Sequence, residues 1–112
     1  MKKLDGPSFL PNKKPKKLII LLHGYGDQAD NFIPLAEYLN NNLIKANFFA
    51  PNAPFLVPQY SQGRQWFNPY PDGIHYNYAK NKEIIIMKKE CETSIKLLRE
   101  YIKNLCLVNK LF

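Results

Sequence analysis

Residues Lys17 to Asp27 read KLIILLHGYGD, and the fold turns on them. Five apolar residues, Leu18 to Leu22, run directly into His23-Gly24-Tyr25-Gly26. A short run rich in Ile and Leu that ends at glycine has the pattern of a strand buried on both faces. The two glycines suit a tight turn, since a residue without Cβ is free to take positive φ. From Asp30 to Asn42 the spacing is helical. A strand, a glycine turn and a helix form the unit in which α/β proteins expose main-chain N–H groups at the carboxyl end of a sheet. The turn is accordingly read as one half of an oxyanion hole.

On the amino-terminal side, residues 1–16 contain Gly6, Pro7, Pro11 and Pro15 and suit only a short extended arm. On the carboxyl side, Asp30 is the expected N-cap and Pro34 falls in the first helical turn, where a missing N–H does little harm. Ile33, Ala36, Leu39 and Leu43 are spaced for one buried face, and Asn40-Asn41-Asn42 ends the helix. Ala46 to Ala50 (ANFFA) reads as a second strand, stopped by Pro51 and Pro54. The two strands and the helix between them match a βαβ crossover. Residues 54–78 are rich in Pro, Gly, Tyr and Asn without a steady period, the pattern of a long loop serving as a lid or pocket wall. Lys82 to Leu105 is a long helix, with Ile84, Cys91, Ile95, Leu98, Ile102 and Leu105 as its expected core stripe. Leu107 to Phe112 reads as the start of another strand.

Composition narrows the function. The 112 residues are 46% hydrophobic and 13% aromatic, enough for one packed domain. The formal charge of +7 comes mainly from lysine, with Arg64 and Arg99 the two guanidinium groups. The densest cluster, Lys13, Lys14, Lys16 and Lys17, is most simply a solvated loop, although it suits an anionic surface. No interleaving of aromatic and basic residues supports a nucleic-acid site. Cys91 and Cys106 are too few for a disulfide framework or zinc site, and fit a reducing compartment. Asp5-Gly6-Pro7 interrupts any apolar signal core after Met1-Lys2-Lys3, and no apolar run is long enough for a membrane span. The expected location is the cytoplasm.

Three landmarks occur in order: LIILLHGYGDQADNFIPLAEYL, then APNAP, then GRQWF. Together they resemble the amino-terminal half of the phospholipase/carboxylesterase family, small α/β-hydrolases related to the acyl-protein thioesterases. The similarity runs from about Gly6 to the last residue. The resemblance implies a mostly parallel sheet with flanking helices, and hydrolysis of carboxylic esters or thioesters by a Ser-Asp-His triad without a cofactor or metal. It places the main-chain N–H of Tyr25 in the oxyanion hole. Gly24 and Gly26 become the glycines that let the turn approach substrate, and Arg64 and Trp66 lie beside it.

The resemblance also implies that the nucleophile elbow, a G-x-S-x-G segment, would begin just past Phe112, with the triad Asp and His later still. The expectation is therefore a truncated α/β-hydrolase domain that carries one oxyanion donor but no triad. Such a chain is inactive alone, marginally stable, and a candidate to pair with a separately encoded carboxyl-terminal half. The alternative is a non-catalytic remnant or small binding module using the aromatic loop. Ser61, in Tyr60-Ser61-Gln62-Gly63, mimics part of an elbow but has no strand before it and no helix after it. His23 is expected to fix the turn through its ring, His75 to be a surface residue, and Asp27 and Asp30 to serve the turn and the cap.

Overall fold

The computed structural model describes residues 3–41 and 44–111. Three strands form one sheet in the order β1 (Ser8–Phe9), β3 (Ala46–Phe49), β2 (Lys17–Ile20). β2 and β3 run parallel, with Ile19 opposite Phe48, so the chain makes the expected crossover between them. The crossover carries two short helices, α1 (Ala29–Phe32) and α2 (Leu35–Leu39), instead of one continuous helix. The break falls at Ile33-Pro34; proline lacks an N–H and cannot continue the first helix's ladder. β1 joins the outer flank of β3 antiparallel, so the described sheet is mixed, where a mostly parallel one was expected.

Period-two alternation sends the two faces of β3 to different partners. Ala46, Phe48 and Ala50 pack with Leu21, Ala29 and Ala36, so this face meets α1 and α2. Asn47 and Phe49 turn the other way, toward Leu97 and Tyr101 of the long helix α3 (Asn81–Val108). The α1–α2 layer is closed by small residues; Ala29, Ala36 and Ala46 are fully buried and let the helices sit close to the sheet. The arm is pinned along its length. Ala50 N–H donates to Pro7 O at 3.0 Å and Asn52 N–H to Asp5 O at 2.9 Å. The Asn12 N–H donates to the Asn47 side chain at 2.9 Å, and Asn47 Nδ2 returns a bond to Asn12 O at 2.9 Å.

Four expectations are corrected. Leu18 to Leu22 is not buried on both faces: β2 is an edge strand among the described residues, and Leu22 is 46% exposed. Leu39 is exposed on the crossover, and Leu43 lies outside the described residues. On α3 the fully buried positions are Glu83, Ser94 and Leu97, while Ile84, Ile95 and Ile102 are exposed. Finally, Leu107 and Val108 extend the helix instead of opening a strand. It ends at Asn109 because Lys110 takes φ 57°. Leu111 N–H then reaches Cys106 O and Lys110 N–H reaches Leu107 O, which is the Schellman pattern. Phe112 lies outside the described residues.

Residues 54–78 are more ordered than a loop. β4 (Phe55–Leu56) and β5 (Arg64–Gln65) pair antiparallel as a small hairpin, followed by 3₁₀ turns at Pro71–Gly73 and Tyr76–Tyr78.

Candidate active-site turn

The segment after β2 closes as a β-turn, Asp27 N–H donating to Gly24 O at 3.3 Å. Gly26, at its third position, has φ 78°, the left-handed conformation that this position of a type II turn demands. Gly24 has no such need: a Cβ there would meet nothing within 4 Å. Of the two expected turn glycines, only Gly26 is conformationally required.

The turn is held from both sides. Gly26 N–H donates to Arg64 O and Arg64 N–H to Asp27 O, each at 2.9 Å, which stitches the turn to β5. Gly63 makes this approach feasible, since a Cβ there would lie 2.8 Å from Gly26 O. Beneath the turn sits His23, only 2% exposed. Ala53 N–H donates to His23 Nε2 at 3.0 Å, so the ring proton resides on Nδ1 and donates to Gly24 O at 2.8 Å. Both ring nitrogens are thus engaged, and His23 braces the turn as expected. Trp66 stacks near it, ring centroids 5.5 Å apart, and its indole N–H donates to His23 O at 2.9 Å. The Ser94 hydroxyl of α3 donates to Trp66 O, tying the helix to the same cluster. Arg64 Nη1 donates to Ala53 O at 3.2 Å.

Asp27 accepts from the Asn31 amide at 3.0 Å and from Gln28 N–H at 2.8 Å. These bonds, the Asn31 contribution first, hold its carboxyl below the ordinary range. Asp30 is not the N-cap; that position is Gln28, without a capping side-chain bond of its own. Asn52, in the PNAP segment, supplies the cap instead by accepting from Ala29 N–H at 2.8 Å. Both Asn52 and Gly63 escaped the sequence reading. The partner of Asn52 is 23 residues away, and that of Gly63 lies outside the hairpin, in the turn at Gly26.

Two main-chain donors of the turn are left over: among the described residues the Gly24 and Tyr25 N–H groups have no acceptor, although those of Gly26 and Asp27 both do. The Tyr25 ring is 44% exposed and stands between Tyr60 and Tyr70, 6.4 Å from each. Burial, and then these two phenols, push its hydroxyl pKa up. Tyr70 continues to His75, which touches Tyr76 and Tyr78, giving an exposed aromatic row beside the turn.

Ser61 lies in the turn Tyr60–Gly63 that joins β4 to β5, exposed and not itself on a strand-to-helix turn. His75 caps its own 3₁₀ turn, accepting from Asn77 N–H at 3.2 Å.

A parallel crossover between two helical layers, with a glycine turn at the carboxyl end of its first strand, defines the class: an α/β unit. The comparisons agree. The phospholipase/carboxylesterase family model matches residues 9–112, and the chain belongs to that family. It is 35% identical over 101 residues to acyl-protein thioesterase 1 of Debaryomyces hansenii, covering 82% of this chain and 42% of that protein. Its backbone is similar to the crystal structure of esterase PE8, with TM-score 0.75 and 27% identity over 98% of this chain and 48% of that one. The chain thus spans somewhat under half the length of these relatives. Among the described residues no helix is long and apolar enough to cross a membrane.

Proposed function

We propose that these 112 residues are the amino-terminal part of one α/β-hydrolase domain, and that they supply the oxyanion-stabilising half of a serine hydrolase for carboxylic esters or thioesters. The observation that carries this reading is the Tyr25 N–H, without an acceptor among the described residues, directly before Gly26 and Asp27, whose N–H groups are both held. Attack on an ester or thioester carbonyl builds negative charge on its oxygen. A donor already aimed at that oxygen stabilises the charge without reorganising, typically by about 3 kcal/mol. Gly24, with open space where a Cβ would be, leaves room for the reacting carbonyl. Gly26, Arg64 and Trp66 flank the substrate, and the last two also hold the turn in place. The aromatic row from Tyr60 to Tyr78 forms the pocket wall.

The nucleophilic Ser, the Asp and the His come from outside these residues, in a carboxyl-terminal half that completes the domain, whether encoded separately or in the same chain. No cofactor or metal takes part. The free thiols Cys91 and Cys106 suit the cytoplasm.

The test is an assay with p-nitrophenyl acetate and an acyl thioester, on the chain alone and mixed with the carboxyl-terminal half of an esterase relative. The chain alone should give no saturable turnover, and the mixture should. Tyr25→Pro deletes the N–H at the turn position where proline fits best, so the turn survives. It should lower the mixture's kcat on the order of a hundredfold or more. Unchanged turnover in Tyr25→Pro would refute the donor role. Turnover by the chain alone that Ser61→Ala abolishes would refute the division of labour.

A further inference from the structure

The end of the sheet remote from the glycine turn concentrates positive charge. β2 and β3 are parallel with Lys17 opposite Ala46, so both strands start at this end. Lys16 N–H donates to Lys45 O there at 2.9 Å. Lys13 and Lys14 form the bend that leads into β2. The carboxyl end of α3 returns to the same place, since Val108 and Asn109 line one groove with Leu10 and Lys13, and Lys110 follows directly. Lys13, Lys14, Lys16, Lys17, Lys45 and Lys110 thus gather here, all exposed. Among the described residues none of them is in an ion pair.

Acid is kept away from this cluster. The segments that meet here, 6–26, 38–71 and 101–112, contain no Asp or Glu. Glu100 also lines the groove, but about 15 Å back along the helix from Lys110 at 1.5 Å per residue. Asp5 lies at the opposite end of β3, where its carbonyl accepts from Asn52 N–H at 2.9 Å. Two of the lysines also occupy left-handed backbone, Lys45 at φ 52° and Lys110 at φ 57°. Glycine is what such positions favour, so the turns alone do not account for these side chains.

Beside the lysines the surface is aliphatic. Leu10 is 58% exposed, Leu107 55% and Val108 79%. Ammonium groups around protruding aliphatic side chains match an anionic bilayer: its headgroups attract the charge, and its interface accepts the apolar groups. Nucleic acid fits less well. The cluster holds no arginine for bidentate contacts, and aliphatic side chains offer bases nothing to stack on.

We infer that this end of the molecule is a docking surface for an anionic phospholipid bilayer. The six lysines sit against the headgroups, and Leu10, Leu107 and Val108 enter the interface. His23, where the glycine turn begins, is about 20 Å from Lys17 at 3.3 Å per residue. The inference is therefore independent of the hydrolase reading and uses no group of the turn.

Co-sedimentation of the 112-residue chain with vesicles tests it, with circular dichroism confirming a folded sample. Phosphatidylcholine vesicles containing about one-third phosphatidylglycerol should bind the chain, and pure phosphatidylcholine at least tenfold more weakly. Salt at about 0.5 M should release it. Lys13→Glu with Lys16→Glu should weaken binding at least tenfold. Lys88→Glu with Lys89→Glu makes the same charge change about 30 Å away along α3 and should stay within about twofold. Leu10→Ser with Val108→Ser, at exposed positions that spare the fold, should weaken binding at least threefold with every lysine intact. Mixed-sequence RNA at equal phosphate should bind more weakly than the anionic vesicles. The inference is overturned by absent binding in a folded sample, by equal binding to neutral vesicles, or by tighter binding to RNA. Equal losses in the two lysine pairs, or an unchanged affinity in the serine variant, would overturn it as well.

Discussion

At the scale of single residues, the turn separates glycines that look alike in sequence. HGYG presents Gly24 and Gly26 as equals, but the backbone needs glycine only at the second. Gly26→Ala should destabilise the chain by about 1–2 kcal/mol, the cost of holding an L-residue at positive φ. Its Cβ would also press on the Tyr60 ring at 3.2 Å. Gly24→Ala should stay within about 0.5 kcal/mol. Urea denaturation of the two variants makes the comparison directly, and equal losses would contradict the turn geometry. Asp27 gives the turn a pH dependence. Its carboxyl is held below the usual value of about 3.9, so the folded state favours the ionised form. The stabilisation is fully present above about pH 4 and fades as pH falls through the folded-state value. A carboxyl-carbon NMR titration should place the Asp27 midpoint below 3.9, and Asn31→Ala should move it upward. The role of His23 was legible through the family resemblance, which implies a histidine that fixes the turn through its ring. Asn52 and Gly63 were not, because their work is done on residues that only the tertiary fold brings near.

Among the elements, α3 teaches the most about what periodicity conveys. Its apolar residues at three- and four-residue spacing correctly announced a long helix, and its observed span, Asn81–Val108, exceeds the expected one by a few residues. The stripe was assigned to the wrong side. Polar residues share the packed face with Leu97: buried Glu83, and Ser94 and half-buried Glu90, which the neighbouring loop satisfies. Asn68 N–H donates to Glu90 at 3.0 Å, and Ser94 donates to Trp66 O. A buried serine with a carbonyl partner costs little, and no hydrophobicity pattern reports such a partner in advance. The two candidate faces predict different mutational costs. Leu97→Ala should cost about 2–5 kcal/mol, whereas Ile95→Ala, at a side chain 49% exposed, should cost under about 1 kcal/mol. Thermal or urea unfolding of both variants decides between the faces. The end of α3 carries the same lesson, since the Leu107-Val108 pair is as apolar as a strand start. The left-handed Lys110, which no composition rule flags, marks the true boundary.

For the molecule as a whole, the sheet has one covered flank and one open one. β1 protects the outer side of β3, while β2 has no neighbour beyond it among the described residues. Leu21 N–H points to Phe49 O, so strand alternation aims the amides of Leu18, Ile20 and Leu22 outward. Hydrogen exchange should therefore be fast at those three and slow at Ile19 and Leu21. Protection at all five in a monomer would mean that something covers the edge. Addition of a complementing half should slow the outward amides first, because a strand joining there would pair with them. The βαβ core was readable from KLIILLHGYGD and its flanks, and the family from that block together with APNAP and GRQWF. The hairpin at 55–65 was not, since its two-residue strands are too short to carry a pattern.

The clasp on the turn also has a direction in time. Ala53 reaches His23 from 30 residues downstream and Trp66 reaches it from 43. During synthesis, then, the glycine turn emerges early but stays loose until the ribosome has released the PNAP segment and the hairpin. A nascent chain stalled before Gly63 would carry the glycine motif intact and still hold no fixed geometry at Tyr25.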